Sequence, residues 1–470
     1  MSTAQYAFGM IGLGTMGRNL LLNMADHDFA VAGYDKDAEK AAALAQEGAG
    51  KNVKGFSDLN EFVQSLSKPR AVMMLVPAGK IVDDVIAELI PVLDKGDLII
   101  DGGNSYFADT NRRVVELQDK GLHFFGMGVS GGEEGARRGP SMMPGGDPEA
   151  YKVVKHIFEA IAARANGEPC VTYVGPGASG HFVKMVHNGI EYGVMQLIAE
   201  AYEVMKKGLG MTNEEMQQVF EKWNEGRVKC FLVEITKDIF KYKAPGTDHL
   251  LIDDIKDEAR AKGTGKWTSQ VAMDLQAPLP TVDSSVAMRD MSKYKQLRVQ
   301  AEGLYGTPAQ LDANREQVLA DLESAFYFAM IVSYAQGMHM LTNASTEYNY
   351  DLKLGEIARI WRAGCIIRSE ILFDITNAYT KNAGLEHLLL DDDVKTKVSG
   401  AVGGLRGLLS KTMAAGIATP AFAASLSYFD AFRSGRMPSN LTQAQRDYFG
   451  AHTYELIGKE GKFHTQWTAK

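Results

Sequence analysis

The sequence predicts an α/β domain built on a mostly parallel sheet, then a large all-α region and a short C-terminal tail. Three observations predict it. In the first third, short Val/Ile/Phe/Met-rich runs alternate with helical patterns. A glycine-rich loop follows the first of those runs. Past about residue 178, strand signals nearly vanish and long helix-periodic segments take over. The 470 residues suit two or three domains. The divisions fall at 1–178, 179–436 and 437–470.

The candidate strands are Tyr6–Ile11, Ala30–Tyr34, Ala71–Val76, Leu98–Asp101, His123–Val129 and Val171–Val174. Helical patterns lie between most of them, as in Gly17–Ala25, Ala38–Gln46, Val82–Leu93 and Asp109–Lys120. The turn-rich stretch Gly175–Gly180 then leads into helical segments at 180–208, 212–242, 316–342, 355–379 and 395–430. The last segment, opened by Met437-Pro438, is too short for a core of its own and is expected to dock elsewhere.

Composition narrows the function. Hydrophobic residues make up 45% and charged residues 23%, an ordinary globular balance. The net charge of −8 argues against a broad nucleic-acid face, so an anionic substrate would need local cations. Cys170, Cys230 and Cys365 are far apart and form no CxxC, which argues against a disulfide framework or a cysteine zinc site. No cluster of His, Asp or Glu has metal spacing, and no metal is expected. The N-terminus lacks a signal-peptide pattern, and no apolar run reaches the ~18 residues of a membrane span. A cytoplasmic protein with reduced thiols is expected.

Gly12-Leu13-Gly14-Thr15-Met16-Gly17 fits GxGxxG between a strand and a helix, the context of a dinucleotide-binding loop in a Rossmann-type domain. The free N–H groups and positive end of the helix suit a pyrophosphate. Asp35 ends the second candidate strand, roughly twenty residues on, where an acid binds the ribose diol. A carboxylate there favours a 2′-hydroxyl and repels a 2′-phosphate, so NAD is favoured over NADP, with Lys36 softening the repulsion.

Lys184, His187, Asn188 and Glu191 fall at i, i+3, i+4 and i+7, one face of a helix. Lys184 and Glu191 lie two turns apart, about 10 Å. A base and an acid can thus meet a small molecule from opposite ends. The bland alternative is a solvated polar stripe. Acid–base work would need Lys184 depressed toward neutrality by burial or by a nearby positive charge.

Five motifs carry a family resemblance across nearly the whole chain: Ile11-GLGTMGRNL, Val129-SGGEEGAR, Gly180-HFVKMVHNGIEYG, Lys262-GTGKWT and Gln445-RDYFGAHTYE. The chain resembles the decarboxylating 6-phosphogluconate dehydrogenases of the β-hydroxyacid dehydrogenase superfamily. The resemblance implies oxidation of 6-phosphogluconate to ribulose 5-phosphate and CO2 in the pentose phosphate pathway, without a metal. It implies Lys184 as general base and Glu191 as the acid of the final tautomerisation. Substrate would be held by Asn104, Ser130, Gly131, Gly132, His187 and Asn188, and its phosphate by Tyr192, Lys262, Thr264 and Arg289. Arg446 and His452 would come from the partner subunit of a homodimer, whose tail threads into its neighbour. Lys266 and Trp267 read as structural. The resemblance also implies a duplicated helical unit, although no repeat is visible in the sequence.

The chain departs from the family where the cofactor binds. The family commonly carries Asn-Arg-Thr or Asn-Arg-Ser after the second strand, against Asp35-Lys36-Asp37 here, and a lysine after Val76, against Pro77 here. Both changes remove or oppose partners of a 2′-phosphate, so NAD or dual use is expected. Ala261, where an amide is usual, is a minor change. Two other readings stand beside this one: a related dehydrogenase of a small unphosphorylated acid, and a non-catalytic dinucleotide-binding protein. The first would not need Lys262, Arg289, Arg446 or His452; the second predicts loss of Lys184 or Glu191.

Overall fold

The computed structural model describes residues 6–468. The chain begins β1 (Phe8–Ile11), α1 (Thr15–Asp26), β2 (Val31–Tyr34), α2 (Ala38–Glu47), β3 (Val53–Phe56), α3 (Leu59–Gln64), β4 (Ala71–Met74), α4 (Lys80–Leu89) and β5 (Leu98–Asp101). It continues α5 (Phe107–Gln118), β6 (His123–Ser130), α6 (Gly132–Arg138), β7 (Ser141–Gly146) and α7 (Pro148–Ile161), then the two-residue strands β8 (Arg164–Ala165) and β9 (Glu168–Pro169). One sheet has the order β3-β2-β1-β4-β5-β6-β7. Its pairings are parallel except for β7, which runs antiparallel to β6. The strand order reverses between β1 and β4, which opens a crevice at their carboxyl ends. β1, β2, β4 and β5 are buried along their whole length, as expected for central parallel strands covered on both faces.

Two strands of this sheet escape the sequence reading, as do the short pair β8–β9 and, in the tail, a hairpin, and one expected strand does not form. β3 reads Val-Lys-Gly-Phe, a half-exposed edge with a glycine inside it. β7 contains Pro144, Gly145 and Gly146, which read as a turn; the edge tolerates a proline whose carbonyl accepts from Val174. Val171–Val174 lies beside β7 but makes only isolated bridges, Met142 to Val171 and Gly145 to Gly175.

The helical region runs α8 (Ser179–Glu203), α9 (Asn213–Trp223), α10 (Phe231–Ile239), α11 (Thr264–Asp274), α12 (Pro280–Ser292), α13 (Lys295–Tyr305) and α14 (Arg315–Glu347). It continues α15 (Leu354–Ile360), α16 (Ile371–Lys381), α17 (Asp392–Ala414) and α18 (Pro420–Phe432). The expected segments 212–242, 355–379 and 395–430 each divide into two helices. The last break is set by Gly416 at φ +74° and by Pro420, which starts α18. α14 is long and apolar enough to cross a membrane by length and composition, but 72% of its apolar window is buried inside the protein.

The region is built twice. α8 to α12 and α14 to α18 follow the same course, and the turns before α12 and α18 match, with positive φ at Gln276 and Gly416. The units lock into each other. Glu200 on α8 accepts the Ala421 and Phe422 N–H groups at the start of α18 (2.8 and 3.0 Å). Gln336 on α14 accepts the Thr281 N–H at the start of α12 (3.3 Å). Each unit thereby satisfies orphan donors of the other.

The tail forms α19 (Ser439–Gly450) and a hairpin of β10 (Tyr454–Leu456) and β11 (Lys459–Phe463). A polar knot organises it. Buried Asp447 accepts from His464, Trp467 and the backbone N–H groups of Thr453 and Thr465. Burial opposes its charge, but those hydrogen bonds win and hold the carboxyl at about 2.

Candidate active site

The glycine loop has the geometry that its sequence requires. Gly12 sits at φ +91°, and a Cβ on Gly17 would lie 1.9 Å from the Gly12 carbonyl oxygen. A Cβ on Gly14 would point into open space, leaving room for a ligand to approach the backbone. Two cavities flank Val76. One of about 260 Å³ is lined by Gly12, Tyr34, Asp35, Lys36, Val76, Asp84 and Glu88, among others. The other, of about 630 Å³, has Met16, Val76–Gly79 and Gly102–Asn104 on its walls, together with Lys262 and Trp267. A turn-opened helix N-terminus beside an elongated groove fits a dinucleotide.

Three expectations need adjusting. The Leu13 side chain is fully buried and its N–H is taken by Asp35 Oδ2 at 2.9 Å, so Leu13 braces the loop instead of facing a ligand. Pro77 lines the larger cavity and not the smaller one that holds Asp35, so the two departures from the family fall on different walls, joined by Val76. Trp267, read as structural, also lines the larger cavity while packing on Tyr106 (ring centroids 5.2 Å).

The polar face of α8 is not solvated. Lys184, His187 and Asn188 are all buried. The burial follows from glycines: a Cβ on Gly128 of β6 would lie 2.4 Å from Lys184 Cβ, and one on Gly180 would lie 2.3 Å from the Gly126 carbonyl. The start of α8 therefore lies directly on β6, beside Ser130. Ser130 Oγ is 3.1 Å from His187 Nε2 and accepts the Ile366 N–H at 3.4 Å. His187 Nδ1 is 3.1 Å from Asn188 Oδ1 and 3.4 Å from Lys184 Nζ. Asn188 Oδ1 can only accept, which assigns the imidazole proton to Nδ1 and leaves Nε2 to accept the Ser130 hydroxyl proton. A neutral amine on Lys184 fits that Nδ1–H better than an ammonium.

Electrostatics points the same way. Burial pushes the Lys184 pKa below its ordinary value, opposed by Glu191. Burial and the neighbouring Lys184 hold His187 well below its usual range, hence neutral. Burial raises the Glu191 carboxyl, opposed by Lys184 and Arg289. A base shifted down and an acid shifted up on one face are the pattern that proton transfer near neutral pH requires.

The expected phosphate residues collect at the next turn. Arg289 Cζ lies 3.5 Å from the centre of the Tyr192 ring. Thr264 opens α11 and is buried; Lys262 is exposed at the cavity wall. Arg446 and His452 lie exposed on the tail. Among the described residues, no carboxylate lies within ion-pair distance of Lys262, Arg289 or Arg446, although most other cations here are paired.

Sequence reasoning missed one wall. The loop between α15 and α16 brings Trp361 edge-on to His187 (ring centroids 5.7 Å) and places Cys365 and Ile366 beside Lys184 and Ser130. Its only sequence signal is Arg362-Ala-Gly-Cys365, which interrupts the helical period.

Residues 7–175 match the NAD binding domain of 6-phosphogluconate dehydrogenase, and residues 180–467 match that enzyme's C-terminal domain. The chain belongs to the 6-phosphogluconate dehydrogenase family. It is 50% identical over 461 residues, 98% of each chain, to the NADP(+)-dependent decarboxylating enzyme of Bacillus subtilis. It matches the decarboxylating 6-phosphogluconate dehydrogenase of Escherichia coli K12 to the same extent. A solved Plasmodium falciparum 6-phosphogluconate dehydrogenase, studied with its cofactor NADP+ and with its substrate 6-phosphogluconate, superposes with a TM-score of 0.95 at 43% identity. That match covers 98% of this chain and 100% of the other.

Proposed function

We propose that this site oxidatively decarboxylates 6-phosphogluconate to ribulose 5-phosphate and CO2 while reducing a nicotinamide dinucleotide. The observation that carries the proposal is the buried Lys184–His187–Asn188–Ser130 cluster beside the dinucleotide groove. A bound nicotinamide ring supplies the hydride acceptor. Lys184, whose pKa burial lowers, takes the proton of the substrate C3 hydroxyl as that carbon is oxidised. The resulting Lys184 ammonium then returns the proton to the C3 carbonyl oxygen as the carboxylate departs as CO2 and its electron pair moves toward the carbonyl. Glu191 delivers a proton to C1 of the enediol while Lys184 takes the proton of the C2 hydroxyl, which leaves the ketone of ribulose 5-phosphate. His187 and Asn188 hold hydroxyls in register; Ser130, Gly131 and Gly132 grip the carboxylate end, and Asn104 lies between cofactor and substrate. Lys262, Thr264, Tyr192 and Arg289 receive the phosphate, where unpaired cations offset the acidic protein.

The same reading gives the cofactor and the assembly. Three carboxylates, Asp35, Asp84 and Glu88, line the cavity where a 2′-phosphate would sit; Lys36 in the lining is held by Glu88 at 2.7 Å, and Lys40, outside the lining, pairs with Asp35 at 3.6 Å. NAD is therefore preferred to NADP. The chain acts as a cytoplasmic homodimer in which Arg446 and His452 of the tail complete the neighbouring site. Its three parts divide at 178 and 436. Nicotinamide reduction with 6-phosphogluconate, run with NAD and NADP while CO2 is monitored, tests the reaction. CO2 release with the larger kcat/KM for NAD is expected; failure with both cofactors would refute it. Asp35→Asn is expected to raise the NADP to NAD ratio.

A further inference from the structure

The larger cavity lies between two loops. Val76–Gly79, before α4, forms one wall, and Gly102–Asn104, after β5, contributes to the other. Both loops end on one side chain. Arg113 of α5 is 1% exposed. Its Nη2 donates to the Gly79 carbonyl oxygen at 3.1 Å, and its Nε donates to Asp83 on α4 at 2.8 Å. Its Nη1 lies 3.5 Å from Asp101 Oδ2 and has no hydrogen-bond partner of its own. Asp101 in turn accepts the Gly103 N–H at 3.0 Å and the Ser105 hydroxyl at 2.6 Å, the residues on either side of Asn104. The neighbouring Arg112 is half-exposed; it shares Asp83 Oδ1 with Arg113 (2.9 Å) and pairs with Glu116, but reaches neither Gly79 nor Asp101.

We infer that Arg113 is a positioning residue that fixes the two walls of the dinucleotide groove relative to each other, through Gly79 on one side and Asp101 on the other. This rests on the dinucleotide-dependent reaction proposed above. A planar fork is suited to the task, because one rigid group holds two partners at a set separation. Without it, Asp101 loses its counter-charge and the Asn104 loop is free to shift against Gly79.

The test is titration of NADH and NADPH by ligand fluorescence, beside steady-state kinetics, on Arg113→Met, Arg113→Lys and the wild type. Arg113→Met is expected to weaken dinucleotide binding about tenfold or more, with a clearly smaller rise in the 6-phosphogluconate KM, since Asn104 also faces the substrate. Arg113→Lys should recover part of that loss. A folded Arg113→Met protein with unchanged dinucleotide affinity overturns the inference, as does an equal rise in both KM values. If Arg113→Met does not fold, Ser105→Ala removes the Asp101 link from the loop side. About threefold weaker dinucleotide binding is expected there, and unchanged affinity overturns the inference. Failure of the wild type to bind either dinucleotide or to oxidise 6-phosphogluconate would instead refute the proposed reaction.

Discussion

The two helical units share a course but differ on the face that each turns to the other's loop. On α8, the face of Lys184, His187, Asn188 and Glu191 meets the α15–α16 loop through Trp361 at His187 and Cys365 at Lys184, with Ile366 bonded to the adjoining Ser130. No charge from that loop neutralises the face. On α14, the matching stretch carries Glu323, Ser324 and Tyr327, and the α9–α10 loop closes it with Arg227. That side chain donates to Glu323 Oε1 (3.1 Å) and Ser324 Oγ (3.0 Å), and its Cζ lies 4.8 Å from the centre of the Tyr327 ring. One unit keeps its polar groups buried, mutually bonded and short of counter-charge; the other has them satisfied by an arginine. Burial shifts the pKa values of Lys184, His187 and Glu191 on the first face, whereas on the second it raises the Tyr327 hydroxyl. The same architecture thus carries the proposed reactive face in one copy and a face satisfied by an arginine in the other.

The sharpest break of this comparison is Lys184→Ala. Loss of the base is expected to cut kcat by about 10³-fold or more, since each proton transfer contributes about 10²–10⁴. Dinucleotide affinity, set by the groove around Gly12 and Asn104, should stay within about twofold. Stopped-flow turnover beside NADH titration checks both. Retained turnover would move the base elsewhere and leave α8 no more reactive than α14.

Glu191→Gln comes next. It keeps the shape of the face and removes the proton. A loss of about 10²-fold in ribulose 5-phosphate formation is expected. Incorporation of solvent deuterium at C1 should fall with it, while hydride transfer falls less. Unchanged C1 labelling would take Glu191 out of the tautomerisation.

The α8 face was legible in the sequence because four side chains at helical spacing must share a side. The glycine loop and β1, β2, β4, β5 and β6 were legible because fully buried parallel strands read as apolar runs. What was not legible depended on partners distant in sequence. Whether Lys184 faced water or protein turned on Gly128 and Gly180 letting α8 lie on β6, a contact between separate segments. β7 was hidden by Pro144 and its glycines, which only an edge position tolerates. Cys365 and Ile366 reach the site from the other unit, and the duplication survives in cap contacts such as Glu200 and Gln336 rather than in residue identity.

Those caps sharpen the comparison a third way. Burial raises the Glu200 carboxyl to about 7, against the bonds from Ala421, Phe422 and Gln196; Gln336 does the matching task without a charge. A carboxyl raised on folding contributes its stability below its unfolded pKa and loses it as pH rises to the folded value. Stability should therefore decline between about pH 4.5 and 7 and level off above. Glu200→Gln makes the two caps alike. It is expected to flatten this slope by something on the order of 1–3 kcal/mol and to raise Tm most at pH 8. Thermal melts at pH 5, 6, 7 and 8 read the slope directly. An unchanged slope would mean that the carboxyl is already solvated.

The smallest expected effect is on the quiet face. Arg227→Ala removes the plug from Glu323 and Ser324, but the Arg227 and Glu323 side chains are 43% and 31% exposed, so water replaces it cheaply. A loss of about 0.5–1 kcal/mol is expected in urea unfolding, with kcat and both KM values unchanged. The outcome matters because α14 packs along α8. If turnover fell several-fold, the α14 face would be supporting the geometry of Lys184 and Glu191, and the division into a reactive and an inert copy would give way to one coupled unit. If only stability moves, an arginine supplied by the opposing loop is enough to account for why the second face carries no chemistry.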